Sequence, residues 1–141
     1  MTAKKYKKLT LYLDGASRGN PGPAGIGVVI LDENNATIKE FEKYLGVVTN
    51  NVAEYQALLY GLQEAMMLGA QEIALNLDSE LVVQQLSGEF RVREPHMKLL
   101  FEQALHLLKG FKKFSIKHID RSQNKQADKL ANKAINLASL V

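Results

Sequence analysis

The chain has 141 residues, 46% of them hydrophobic, which suffices for one domain with its own core and is short for two. It has no cysteine, so disulfides, thiolate metal sites and cysteine nucleophiles are excluded and any metal must sit on oxygen or histidine. Eighteen basic against 15 acidic residues leave a mild +3, and there is neither a signal-peptide pattern nor an apolar run long enough to span a bilayer; a single 1–141 domain, monomeric, cytoplasmic and without a membrane partner, is expected.

Lys8 to Asp14 alternates Leu9, Leu11 and Leu13 with Thr10 and Tyr12, which predicts a strand ending near Asp14. Gly19-Asn20-Pro21-Gly22-Pro23 concentrates the turn formers in one compact loop. Gly25 to Leu31 is a second strand, Asp32 to Asn35 a polar turn, and Ala36 to Leu45 a third strand, together an antiparallel meander. Thr49 or Asn50 caps a helix whose apolar surface is wide, and Gly69 stops it. Glu72 to Asp78 is a short strand and Ser79 to Leu86 a short helix ended by Gly88. Arg91 to Pro95 is a basic loop, His96 to Lys109 a helix stopped by Gly110, and Phe114 to Ile119 a fifth strand. Ser122 is expected to cap a last helix, with Ala127, Leu130, Ala131, Ala134 and Ile135 on its apolar face. A meander followed by alternating strands and helices implies an α/β fold: a five-stranded mixed sheet flanked by helices.

Four acids fall at ends of these elements: Asp14 and Asp78 close strands, and Glu54 and Asp128 lie in first helical turns. Each has a plain reading, as turn former or as partner of the helix dipole. Asp14, however, opens an unusual run through Gly25, and converging carboxylates repel unless a cation neutralises them. Hard divalent cations with oxygen ligands, Mg²⁺ or Mn²⁺, suit such a cysteine-free acidic site. Two of them about 4 Å apart can activate water and stabilise the leaving oxygen of a phosphodiester. Lysines at 4, 5, 7 and 8 and at 109, 112, 113 and 117 would suit a phosphate backbone, or simply a solvated surface.

Asp14 to Gly27 (DGASRGNPGPAGIG), Thr49 to Leu58 (TNNVAEYQAL), Leu77 to Leu86 (LDSELVVQQL) and Arg121 to Ala134 (RSQNKQADKLANKA) resemble, in order, the four motifs of the type 1 ribonucleases H. The resemblance spans nearly the whole chain. It implies a ribonuclease H-like fold and two Mg²⁺ ions, Mn²⁺ being an alternative, bound by Asp14, Glu54, Asp78 and Asp128. It implies that the RNA strand of an RNA/DNA hybrid is the substrate, cut to leave 5′-phosphate ends. Asn20, Asn50 and Asn51 match positions facing the hybrid's minor groove, and Thr49 one that holds a phosphate of the DNA strand; Gly15, Ser17 and Arg121 are also assigned to substrate. An asparagine amide both donates and accepts, which suits a 2′-hydroxyl, the group that marks RNA. Turn and cap chemistry is the plain alternative for all three asparagines.

The sequence also departs from the family. Ser87-Gly88-Glu89-Phe90 leads directly to Arg91-Val92-Arg93, so the basic insertion of the large members is missing and the chain resembles the compact branch. Arg91, Arg93 and nearby lysines are partial substitutes. No histidine precedes Asp128 where many members carry a mobile one, and Arg121 or Lys125 stands in that region. His118 is expected to be structural, and His96 and His106 carry no catalytic argument. Competing readings are a non-catalytic nucleic-acid-binding relative, which an intact acidic quartet disfavours, and a same-fold nuclease that also cuts double-stranded RNA. An excised domain of a reverse-transcriptase-like polyprotein fits less well, since one domain fills the chain.

Overall fold

The computed structural model describes residues 6–140. Strands β1 (Tyr6–Ser17), β2 (Gly22–Leu31), β3 (Thr37–Val48), β4 (Ala70–Leu77) and β5 (Lys113–His118) form one sheet in the order β3-β2-β1-β4-β5. The β1–β2 and β2–β3 pairs are antiparallel, and the β1–β4 and β4–β5 pairs are parallel. This is the mixed sheet expected from the sequence: a meander, then crossovers through helices. Helices α1 (Asn50–Met67), α2 (Glu80–Leu86), α3 (Pro95–Leu108) and α4 (Lys125–Ala138) complete the described fold. No helix stands between α2 and α3, only residues 87–94, as expected for a chain without the basic insertion. None of the described helices is long and apolar enough to cross a membrane.

The two-residue period of β1 decides the layering. Leu9, Leu11 and Leu13 point to one face and are fully buried with Ile26, Val28 and Ile30 of β2 and Leu58 and Leu62 of α1. On the other face Tyr12 and Val29 pack on Ala127 and Leu130 of α4. Helix α1 begins as expected: Thr49 caps it by accepting the Val52 N–H (3.3 Å). Leu68 is its C-cap, and Gly69 follows at φ 82°, a left-handed conformation that glycine adopts without penalty.

Several boundaries move, for identifiable reasons. Strand β1 does not end near Asp14. Its parallel pairing with β4 stops at Leu13↔Leu77, but antiparallel pairing with β2 carries it through Gly15↔Ile26 and Ala16↔Gly25 to Ser17↔Ala24. The expected loop shrinks accordingly, because Gly22 and Pro23 already belong to β2 and the Arg18 N–H closes the turn on the Pro23 carbonyl (2.9 Å). Strand β3 runs on to Val48 for the same reason, pairing with Gly22. Asp78 lies one residue beyond β4, and β5 starts and ends one residue early. Helix α3 starts at Pro95 behind a Glu94 cap that accepts the His96 and Met97 N–H groups. Ser122 does not cap α4. It sits in a 3₁₀ turn (Arg121–Gln123) capped by Asp120, and Asn124 precedes α4. His118 is exposed at the end of β5 and takes no part in the core. Lys7, Lys8, Lys109, Lys112, Lys113 and Lys117 are all exposed; Lys4 and Lys5 lie outside the described residues.

Glycines let two helix backbones press onto the sheet. A Cβ on Gly27 would stand 2.0 Å from the Ala127 carbonyl oxygen of α4, and one on Gly15 would stand 2.2 Å from the Ala53 carbonyl carbon of α1. Gly27→Ala should therefore push α4 off β2 and cost about 3 kcal/mol in urea unfolding. Gly46→Ala, strained at φ 81° but with nothing within 4 Å of its Cβ, should cost only about 1 kcal/mol. Equal losses in the two variants would show that close approach is not what Gly27 provides.

Candidate active site

The register of β1 and β4 builds the first half of the site. Leu13 and Leu77 are partners and both are buried in the core, so the next residues, Asp14 and Asp78, stand side by side where the β1–β4 pairing ends, roughly 4.8 Å apart in the hydrogen-bonding direction. The glycines deliver the other two acids. Gly15, beside Asp14, lies against Ala53 and the Glu54 nitrogen, and its own N–H donates to Glu54 Oε1 (3.0 Å). Gly27 is the β2 partner of Asp14, and Ala127 of α4 rests on it, which places Asp128 next in line. Glu54 is the fifth residue of α1 and not in its first turn, so the helix dipole does not explain it.

One ligand oxygen from each of Asp14, Glu54 and Asp78 lies within 4.8 Å of the others. Asp14 is 5% exposed and Glu54 3%, while Asp78 is half-buried. Asp14 Oδ2 and Glu54 Oε2 are buried with no hydrogen-bond partner. Burial first, then the charges of Glu54 and Asp78, raises the Asp14 carboxyl far above the ordinary carboxylate range. Glu54 is raised by burial first and then by Asp78, against the lowering effect of the Gly15 N–H. An unpaired buried carboxylate is costly, and two buried acceptor oxygens without donors form a donor set for a hard cation. The residues present fit divalent metal.

The four acids line one cleft of about 410 Å³ together with Gly15, Ala16, Ser17, Arg18, Asn50, Arg121 and Asn132. Asp128, like Asp78, is half-buried. Its Oδ1 lies 3.9 Å from Arg121 Nη2 and accepts from Asn132 Nδ2 (3.3 Å). At the rim, Asn20 Oδ1 accepts the Asn50 N–H (3.1 Å), and both asparagines are exposed. Asn51 is exposed on the first turn of α1, and the Thr49 hydroxyl, used as acceptor for its cap, keeps its proton to donate. The Ser17 hydroxyl is spent inside the chain, on the Val48 carbonyl (2.9 Å) and on the Gly19 carbonyl. The Gly15 amide is likewise committed to Glu54.

Sequence reasoning missed Arg18, Asn132 and Asn124. Asn124 is 1% exposed; its amide donates to the Leu13 carbonyl (2.8 Å), and the Asp128 N–H donates to its backbone carbonyl (3.0 Å). It thus ties the start of α4 to β1 one residue before Asp14. Its only local signal was an asparagine four residues before Asp128, which has the look of an ordinary helix cap.

The family model described as reverse transcriptase-like matches residues 12–134. Over 125 residues the chain is 42% identical to the ribonuclease HI of Halobacterium salinarum, covering 89% of this chain and 63% of that protein. The chain belongs to the type 1 ribonuclease H family. The family resemblance extends to a bifunctional protein of Mycobacterium tuberculosis, 43% identical over 94% of this chain but only 36% of that protein, so the chain spans about a third of that relative's length. Among solved structures, that of LC11-RNase H1 in complex with an RNA/DNA hybrid has a TM-score of 0.88 at 43% identity, covering 92% of this chain and 98% of that one. The ribonuclease H fold thus accounts for the sheet order, and the family's acidic motifs lie together in its cleft.

The raised carboxyls have a consequence for stability. Without metal, folded protein holds protons on Asp14 and Glu54 that the unfolded chain releases near its ordinary values of 3.8 and 4.5. Their contribution to stability is therefore fully present below those values and is lost as pH rises from them through the neutral range. Melting in EDTA should show that loss, and millimolar Mg²⁺ should reduce it. Asp14→Asn should raise the neutral-pH Tm in EDTA by about 5 °C. A wild-type Tm that stays level or climbs across this window would contradict the assignment.

Proposed function

We propose that this chain, as one monomeric domain, is an endonuclease hydrolysing the RNA strand of RNA/DNA hybrids. Divalent ions, Mg²⁺ or alternatively Mn²⁺, would be held by Asp14, Glu54, Asp78 and Asp128. The observation that carries this reading is the approach of three carboxylates to within 4.8 Å, two of them buried with unpartnered oxygens, in an open cleft. The chemistry a pair of such ions would supply when bound is activation of a water and stabilisation of the leaving oxygen of the phosphodiester. The relatives support the choice of substrate: one is named ribonuclease HI, and another was crystallised with an RNA/DNA hybrid.

The chain's own residues divide the remaining work. The Gly15 N–H fixes Glu54 Oε1 and leaves Oε2 for a cation. Asp78 and Asp128, the more exposed acids, line the same cleft and would complete the cation's ligands. Asn20, Asn50 and Asn51 would exchange hydrogen bonds with 2′-hydroxyls in the minor groove, and the Asn20–Asn50 bond holds two of them in register. Thr49 would donate to a phosphate of the DNA strand. Gly15 and Ser17 shape the floor against the cut strand, and Arg121 brings a positive charge to the mouth. Cutting is expected to leave 5′-phosphate and 3′-hydroxyl ends.

The test is cleavage of end-labelled hybrid, double-stranded RNA and double-stranded DNA with Mg²⁺, Mn²⁺ or EDTA. Only the hybrid should be cut efficiently, and only with metal. Asp78→Asn should lose at least about a hundredfold in rate while keeping its circular dichroism. Binding of the hybrid without cutting under any divalent ion would replace the enzyme by a binding module, and equal cutting of double-stranded RNA would widen the substrate class.

A further inference from the structure

The cleft holds an arginine that does not pair with its acids. Arg18 is exposed and lines the same cleft as Asp14, Glu54, Asp78 and Asp128, yet among the described residues its only side-chain hydrogen bond is neutral. Arg18 Nη2 donates to Asn132 Oδ1 (3.3 Å), and among the described residues Arg18 forms no ion pair. Arg121, by contrast, reaches Asp128. The backbone of Arg18 is fixed by its N–H on the Pro23 carbonyl (2.9 Å).

Asn132 separates the two charges. Its Nδ2 donates to the Asp128 carbonyl (3.0 Å) and to Asp128 Oδ1 (3.3 Å), one helical turn earlier. Carbonyl and carboxylate oxygens only accept and a guanidinium only donates, so the chemistry on each side fixes which end of the amide faces which partner. Aspartate here would repel Asp128, and a hydrophobic residue would bond neither neighbour. A neutral amide thus holds a guanidinium in an acidic cleft without neutralising it. The remaining donors of Arg18 are left for an acceptor that arrives from outside, and the planar fork suits phosphate oxygens.

Building on the hybrid-cutting reading, we propose that Arg18 grips a backbone phosphate beside the one being cut and that Asn132 is the positioning residue that aims Arg18 and Asp128 together. The grip offsets the repulsion between the acidic cleft and the polyanion. It is electrostatic, so it is sensitive to salt and indifferent to base sequence.

The experiment compares wild type, Arg18→Ala, Arg18→Lys, Asn132→Ala and the double alanine variant. Steady-state cleavage of a labelled hybrid in Mg²⁺ is measured beside anisotropy binding of a fluorescein-labelled hybrid in EDTA, both across a salt series. Arg18→Ala should raise KM and weaken binding about tenfold, leave kcat within about twofold, and lower the salt slope by about one; Arg18→Lys should recover part of the affinity. Asn132→Ala should raise KM and also lower kcat, because Asp128 loses a donor. In the Asn132→Ala background, removing Arg18 should cost markedly less than in wild type. A cutting enzyme in which Arg18→Ala leaves KM, affinity and salt slope unchanged overturns the proposal, as does full additivity of the two substitutions. If wild type cuts no hybrid, the earlier reading falls, while the EDTA binding comparison still decides on Arg18.

Discussion

Negative charge held out of water is the constraint around which this molecule is arranged. Asp14 and Glu54 are buried beside Asp78, and neither mutual distance nor solvent relieves them. Left to itself such a group would spread apart or stay protonated. The fold prevents the first by setting Asp14 inside a strand paired on both sides up to Leu13, and by tying Glu54 to the same strand through the Gly15 amide. Protonation, or a cation, is then the remaining route to relief, and cation binding is the one that chemistry can use.

The means of assembly is the same on both faces of the sheet. A helix backbone comes within contact of a strand only where the strand lacks a side chain, and two glycines flank Asp14 in space: Gly15 next in sequence, Gly27 across the ladder. One admits α1 and with it Glu54; the other admits α4 and with it Asp128. The alanines of α4 extend this fit, since Ala127, Ala131 and Ala134 are small enough for the helix to lie flat on β2. Packing and chemistry are therefore not separable here. The residues that bring the helices close are the neighbours of those proposed to act.

Much of this could be read from the sequence because it is written in local periodicity. The alternation of Leu9, Leu11 and Leu13, the cap at Thr49 and the stop at Gly69 each depend on neighbours a few residues away. The mixed character of the sheet followed from a meander with later crossovers. What escaped was long-range. That β1 continues past Asp14 depends on pairing with β2, and the depth of Glu54 depends on Gly15, 39 positions earlier. Ser122 looked like a cap because serine suits caps, but Asp120 took the turn before it. Arg18 and Asn132 lie 114 positions apart, and nothing in either neighbourhood announces the other.

The acids reach the cleft from positions 14, 54, 78 and 128 of a 141-residue chain. A nascent polypeptide that has made its first strand and helix still lacks the last carboxylate, which arrives only with α4. Any hydrolytic power of the cleft is thus withheld from a chain whose synthesis has not yet passed α4, and a truncation before that helix removes one acid of the set outright.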